Sequence, residues 1–154
     1  MRKPKIKTTM NNSKSYLELE VIWKDDGMIE LKITAANGRF LGTTEVYDTP
    51  DSLTDFAKSL TGFPADNNPL LHEAGQKNSY AFFSMYFYRI GNAGQVGVQI
   101  ILEENVPPEY KPKGKDKITL EILVEPNAID NFQKELFLLA KNHDGTAILY
   151  GHNN

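Results

Sequence analysis

The three histidines are the first residues to consider for chemistry, and none has the spacing of a metal ligand or a catalytic base. His72, His143 and His152 form neither an H-x-H nor an H-E-x-x-H motif, so we expect each to be a surface residue. The chain has no cysteine, which excludes disulfides, thiolate zinc sites and thiol catalysis. No nucleophile elbow, P-loop or dinucleotide fingerprint occurs. The sequence therefore predicts no catalytic residue, no metal site and no cofactor, and we interpret the protein as a non-enzyme.

Composition and charge predict one folded domain behind a basic leader. The chain has 154 residues, 40% hydrophobic and 24% charged, which is typical of a single globular domain. Residues 1–14 hold five basic side chains and no acid, so residues 15–154 carry 12 basic and 20 acidic residues, a formal charge of −8. We expect residues 1–14 to be a flexible tail and residues 15–154 to be one domain.

The same features limit the partners. An acidic body repels phosphate, so nucleic acid is not an expected partner. No apolar run approaches the ~20 residues of a membrane span, and no apolar segment follows the basic leader. We therefore expect neither membrane association nor secretion, and predict a cytoplasmic protein.

The stretch ITAANGRFLGTTEVY predicts a β-hairpin. Asn37-Gly38 suits a two-residue turn, because both central residues of a type I′ turn need positive φ. This turn pairs Ala35 with Phe40 and Ile29 with Val46 on an apolar face that points inward. Before it, a three-residue turn at 25–27 pairs Trp23 with Ile29, so residues 15–47 are predicted to form a three-stranded meander.

A helix is predicted after each of two groups of strands. Thr49 suits the N-cap, Pro50 suits the first helical position, and apolar residues follow at helical spacing. The pattern P-x-x-[LI]-x-x-F-x-K-x-L begins at Pro50 and again at Pro126, so we interpret the chain as a duplicated βββα unit. The expected fold is α+β, with an antiparallel sheet of about six strands and two helices on one face. The end of the chain, TAILYGHNN, either adds an edge strand or stays loose.

An aromatic face is predicted on the second group of strands. The connection at 91–94 pairs Phe87 with Val98, which leaves the opposite face with four aromatic residues and the polar Gln99: these aromatics are Tyr80, Phe82, Tyr86 and Tyr88. Two interpretations stay open. Either the tyrosines shelter a glycine across the sheet or lie under the Pro/Lys loop at 105–116, or they form a recognition surface.

The first half of the chain resembles a bacterial family of small α+β proteins of unsettled activity. The hairpin ANGRF-x-G-x-x-E and the helix ending L-x-GFP carry this resemblance, at residues 36–45 and 60–64. The layout is also similar to that of immunity proteins that neutralise bacterial toxins, a likeness at the level of fold only. Most matching residues have structural reasons to be present, but Arg39 and Glu45 have none and are therefore candidate binding residues.

These observations favour a protein-binding module, with an immunity protein for a basic toxin as its specific form. The predicted partner-binding residues are expected to lie on one side of the single sheet: Tyr80, Phe82, Tyr86, Tyr88, Gln99, Arg39 and Glu45. One alternative is an enzyme or small-ligand-binding protein that uses the loops at 65–78 and 105–116. Another is a homodimer subunit sealed through the aromatic face, so the protein is expected to be a monomer or a homodimer.

Overall fold

The computed structural model describes residues 14–65, 68–92 and 94–152. These residues form, in order, β1 (Ser15–Asp25), β2 (Met28–Asn37), β3 (Leu41–Asp48), α1 (Pro50–Leu60), β4 (Leu70–Gly75), β5 (Phe82–Ile90), β6 (Gln95–Glu103), β7 (Lys117–Val124), α2 (Pro126–Asn142) and β8 (Thr146–Tyr150). A 3-10 turn, Pro108–Tyr110, lies between β6 and β7. Most of the predicted tail, residues 1–13, is outside the described residues.

The strands form two antiparallel sheets of four. The first sheet has the order β3-β2-β1-β8, and the second has the order β4-β5-β6-β7. The predicted α+β class is confirmed, but the single sheet of about six strands is wrong, because β4 and β8 add one further strand to each of two sheets. The helices α1 and α2 pack against each other, and one continuous apolar core joins both helices to both sheets.

The duplicated plan is visible, with one exchange that the sequence did not predict. A three-stranded meander and a helix occur twice, as β1-β2-β3-α1 and β5-β6-β7-α2. The strand after each helix then joins the opposite meander, since β4 pairs with β5 and β8 pairs with β1. Gly42 and Ile118, which are 76 positions apart, meet between the sheets: a Cβ on Gly42 would lie 2.8 Å from Cγ2 of Ile118. Contact between equivalent residues is what a two-fold relation between the units produces.

The turn at Asn37 is longer than predicted. Ala36 pairs with Leu41 and Ala35 with Gly42, so residues 37–40 form a four-residue connection instead of a two-residue turn. The Asn37 side chain causes this, because its Oδ1 accepts the N–H groups of Arg39 at 3.0 Å and Phe40 at 2.9 Å. The register differs from the predicted one by two residues, an even number, so the predicted inward face of β2 is retained.

The turn between β1 and β2 is shorter than predicted, and a bulge corrects the register. Asp25 pairs with Met28, which leaves a two-residue turn and places Trp23 opposite Glu30 instead of Ile29. The pairing then shifts between Val21 and Trp23, so Val21 still faces Leu31 as predicted. The bulge therefore keeps the first half of β1 in the core and turns Trp23 outward.

The first helix begins and packs as predicted. Oγ1 of Thr49 accepts the N–H of Ser52 at 3.1 Å, Pro50 is the first helical residue, and the apolar stripe of α1 is buried: Leu53, Phe56, Ala57 and Leu60.

At the other edge of the fold, the N–H of Ile148 in β8 donates to Glu135 of α2 at 2.8 Å. The chain end TAILY thus forms an edge strand whose exposed backbone is partly satisfied by the helix.

Candidate functional site

A groove of about 440 Å³ lies between the two sheets. Its first wall is the start of β2 and the free edge of β3, with Met28, Glu45 and Tyr47. Its second wall is the segment that connects β4 to β5, with Gln76 and Tyr80. The buried Val46 and Ala81 also line it, so the groove has an apolar interior and a rim of polar and aromatic groups.

An exposed aromatic pair stands beside the groove. In the first sheet Trp23, Glu30 and Tyr47 lie side by side on β1, β2 and β3, on the face away from the core. The rings of Trp23 and Tyr47 are 6.0 Å apart between centroids at an interplanar angle of 87°. Trp23 is 47% exposed, Tyr47 52% and Tyr80 50%. We call Trp23, Tyr47 and Tyr80 the aromatic rim.

Two carboxylates lie beside these rings without a partner in the described part of the chain. Glu30 stands between Trp23 and Tyr47 in the strand register, and Glu45 precedes Tyr47 by two residues on the same face. Both side chains are half-buried, yet neither accepts a hydrogen bond nor forms an ion pair with any residue that the structure describes. Lys32 pairs with Glu45 in register but forms no ion pair within 4.0 Å in the described part of the chain. A half-buried carboxylate without a partner favours the approach of a cation.

The predicted aromatic face on the second sheet is only partly open. The predicted strand pairs of β5 and β6 are all found, including Tyr86 with Gln99 and Tyr88 with Gly97. Phe82, however, is 4% exposed, so its prediction as an exposed contact residue is wrong. Lys77 lies over its ring at 5.9 Å, which helps to explain why the side chain does not face water.

Tyr88 has a structural role. Its hydroxyl donates to Glu121, and its ring stacks on Tyr86 with centroids 5.7 Å apart. It also covers Gly97, where a Cβ would lie 2.6 Å from Cζ of Tyr88. The hydrogen bond to Glu121, with a smaller effect of burial, raises the pKa of Tyr88 to about 12. The interpretation in which a tyrosine shelters a glycine therefore describes Tyr88, while Tyr86 stays half-exposed and Gln99 is exposed.

The other predicted residues separate into two groups. Glu45 and Tyr80 both line the groove, Glu45 from β3 of the first sheet and Tyr80 from the connection between β4 and β5. Arg39 is exposed in the turn before β3 and does not line it, and the Tyr86–Gln99 surface lies on the second sheet. The expectation that Arg39, Glu45 and the tyrosines share one side of one sheet is therefore wrong. Trp23 and Tyr47 are site residues that the sequence did not indicate. The alternation of β3 places Tyr47 on the same face as Glu45, whereas the alternation of β1 predicts Trp23 in the core, opposite Ile29.

Both loops of the small-ligand alternative reach the groove. Gln76 comes from the first loop and Asn105 from the second. The first predicted loop also contains β4, a strand that the sequence pattern does not indicate. The second is fastened to the β4–β5 connection by Lys115, whose ammonium donates to the carbonyl of Tyr80, and burial lowers the pKa of this lysine. This wall of the groove is therefore held in place by hydrogen bonds.

One buried polar pair lies outside the groove. His72 Nε2 and Asp48 Oδ2 are 2.8 Å apart, and their side chains are 5% and 6% exposed. The expectation that His72 lies on the surface is thus wrong, because β4 carries it against Phe56 and Phe83 in the core. Asp48 also accepts the N–H of Thr49 at 2.8 Å. The pair joins the end of β3 in the first sheet to β4 in the second.

No known protein family matches this chain, and no curated protein or solved structure matches it. The resemblance carried by the ANGRF hairpin stays a prediction. Within residues 14–65, 68–92 and 94–152, no three histidine or acidic side chains are grouped so as to hold a metal ion. No helix in the same part of the chain is long and apolar enough to cross a membrane.

Proposed function

We propose that the protein is a non-catalytic, cytoplasmic module that binds another protein through the groove and its aromatic rim. The observation that carries this proposal is the exposure of Trp23 and Tyr47, two large rings in contact beside an apolar concavity. Tryptophan and tyrosine are enriched among the residues that contribute most to protein interfaces. Both rings lie on the face of the first sheet that points away from the core.

The extent of the apolar surface favours a protein over a small molecule. Ile22 is 45% exposed and Met28 37%, so apolar surface continues from the groove along the end of the first sheet. A small ligand in the groove would leave Trp23 and Ile22 in water, whereas a protein surface would cover them. The −8 charge of residues 15–154 would speed the approach of a cationic partner. An immunity protein for a basic toxin is the specific form of this proposal, and its support is this charge together with the resemblance of the ANGRF hairpin.

A small-ligand site is the second candidate. The groove volume of about 440 Å³ is within the range of ~300–1,000 Å³ that is usual for ligand pockets. Gln76, Asn105 and Glu45 would supply the few polar contacts that orient a ligand among apolar groups. Native mass spectrometry of the freshly purified protein tests this candidate, because a bound small molecule adds a defined mass.

The test of the leading proposal is a comparison of two double variants in partner capture. Trp23→Ala/Tyr47→Ala removes two of the three rings of the aromatic rim, and Tyr110→Ala/Tyr150→Ala removes two exposed aromatics that do not line the groove. We expect the first variant to lose the partner that the wild type retains from the source organism's lysate, and the control variant to retain it. With the isolated partner, calorimetry should show a loss of ~2 kcal/mol or more for the first variant.

Two outcomes contradict the proposal. Equal capture by the wild type and the Trp23→Ala/Tyr47→Ala variant would show that the partner is not bound through Trp23 and Tyr47. A melting temperature far below that of the wild type would mean that the rings stabilise the fold. Gel filtration of wild type and of Tyr86→Ala addresses the homodimer alternative, since a dimer sealed through the second sheet should dissociate when Tyr86 is truncated.

A further inference from the structure

The aromatic rim and the carboxylates beside it have the arrangement of a site for a cationic side chain. Trp23 and Tyr47 present two rings that are nearly perpendicular, so a group placed in their angle contacts the face of one ring and the edge of the other. A cation is attracted to the negative face of an aromatic ring, and tryptophan is the strongest such partner. Glu30 projects from the strand between the two rings.

The charges around the rings also select a cation. The outer face of β1, β2 and β3 carries more acid than base. Lys32 is paired in register with Glu20 and Glu45, and the acidic residues of this face are Glu18, Glu20, Glu30 and Glu45. Lys24 is adjacent to Trp23 in sequence but is exposed. No described ammonium or guanidinium lies within 4.0 Å of Glu30 or Glu45, so both carboxylates are available to an external cation.

We propose that the rim between Trp23 and Tyr47 binds an arginine side chain of the partner protein, with Glu30 and Glu45 accepting its N–H groups. This inference rests on the proposed function and names the chemistry that the partner must present. A guanidinium is favoured over an ammonium because it is planar, stacks on aromatic faces and donates to carboxylates in a fixed geometry. The groove along β3 receives the apolar residues that flank this arginine.

Intrinsic fluorescence measures the binding directly, because Trp23 is the chain's one tryptophan. The probes are three short peptides of the form acetyl-Leu-Xaa-Leu-amide, in which Xaa is arginine, lysine or citrulline. Citrulline has nearly the shape of arginine without its charge, so it controls for apolar contact. We expect the arginine peptide to change the Trp23 emission saturably, the lysine peptide to bind more weakly, and the citrulline peptide to bind at least about tenfold more weakly than arginine.

Charge variants complete the test. Glu30→Gln/Glu45→Gln keeps the size of both side chains and should weaken the arginine peptide by about tenfold or more, with folding unchanged by circular dichroism. Glu73→Gln/Asp130→Asn is the matched control, since it removes two exposed carboxylates that lie outside the first sheet. Raising the salt concentration should lower the affinity for the arginine peptide and leave the affinity for the citrulline peptide unchanged.

Failure of the inference can be told from failure of the proposed function. Equal affinity for the arginine and citrulline peptides, no saturable change with arginine, or unchanged affinity in Glu30→Gln/Glu45→Gln would each overturn the arginine site. If partner capture is nevertheless lost in Trp23→Ala/Tyr47→Ala, the protein-binding function stands and its partner uses uncharged groups. If capture is also unaffected, both proposals are wrong.

Discussion

Removing one member of the buried Asp48–His72 pair leaves the other side chain in the core without its partner. Both side chains are about 95% buried, with exposures of 6% and 5%, so water cannot replace the lost contact. In His72→Leu the Asp48 carboxylate retains only the N–H of Thr49 among its described hydrogen bonds. Breaking a buried pair in this way costs ~3–5 kcal/mol, because a charged group is left uncompensated. Asp48→Val leaves the His72 imidazole without a hydrogen-bond partner and should cost less, ~1–3 kcal/mol.

The second unit of the fold supplies the control. Val124, at the end of β7, is the counterpart of Asp48, and Ala147, in β8, is the counterpart of His72. Both are buried, so an apolar pair is compatible with this place in the fold. The double variant Asp48→Val/His72→Leu should therefore recover most of the loss and lie within ~1 kcal/mol of the wild type or above it. The sum of the two single losses in the free energy of unfolding should exceed the loss in the double variant by ~3 kcal/mol or more, and this difference is the coupling energy of the pair.

Urea denaturation followed by circular dichroism measures the free energy of unfolding of the wild type, the two single variants and the double variant. A loss of ~3–5 kcal/mol is a large part of the ~5–15 kcal/mol of a typical domain, and in thermal melting it corresponds to a fall of roughly 10 °C. A double variant as unstable as His72→Leu would show that the loss comes from packing and not from an unpaired group, which contradicts the prediction. A single variant with wild-type stability would refute it equally.

Three further predictions concern single positions. Phe56→Ala and Phe132→Ala should each lower the free energy of unfolding by ~3–5 kcal/mol, because both rings are buried at equivalent helical positions; a harmless change at either would remove structural meaning from the repeat. Ultraviolet titration should find that Tyr88 has a pKa of about 12, and this pKa should return toward 10 in Glu121→Gln. Because the folded state holds this proton more tightly than the unfolded state, the stability that Tyr88 contributes is present below pH ~10 and is lost as the pH rises toward 12. An unchanged titration in Glu121→Gln would contradict the assignment. Thr49→Ala should cost ~1 kcal/mol through loss of the N-cap, which Thr49→Ser should largely avoid if the hydroxyl is responsible.

Local patterns were sufficient for hairpins and helices and insufficient for the arrangement of the sheets. Every predicted pair of β5 and β6 is present, because a short connection and strict alternation leave few registers for neighbouring strands. β4 was missed because LLHEAG is only six residues long and mixes charged with apolar residues. The exchange of β4 and β8 between units involves partners distant in sequence, and no local pattern encodes such a choice.

The candidate site was predicted in part. Glu45 and Tyr80 were named and do line the groove, but they were assigned to a different surface, because a single sheet was expected. Trp23 was expected to point inward opposite Ile29, and the bulge after Val21 reversed it. A bulge of this kind inserts one extra residue into one strand, and its sequence signature is less clear than that of a glycine turn. The outward position of the tryptophan thus depends on a feature that the alternation of β1 cannot reveal.

Comparison of the two units supports the proposal that the rim, rather than the tyrosines of the second sheet, is the contact surface. The row Trp23–Glu30–Tyr47 in the first sheet is equivalent to the row Tyr88–Gly97–Leu123 in the second. In the second row the central residue is glycine, so the aromatic ring lies down over it and bonds to Glu121. In the first row a glutamate takes the place of that glycine, and the tryptophan remains 47% exposed against Tyr47. The same position of the fold therefore stabilises the sheet in one unit, and in the other it holds an exposed ring beside a carboxylate that has no partner among the described residues.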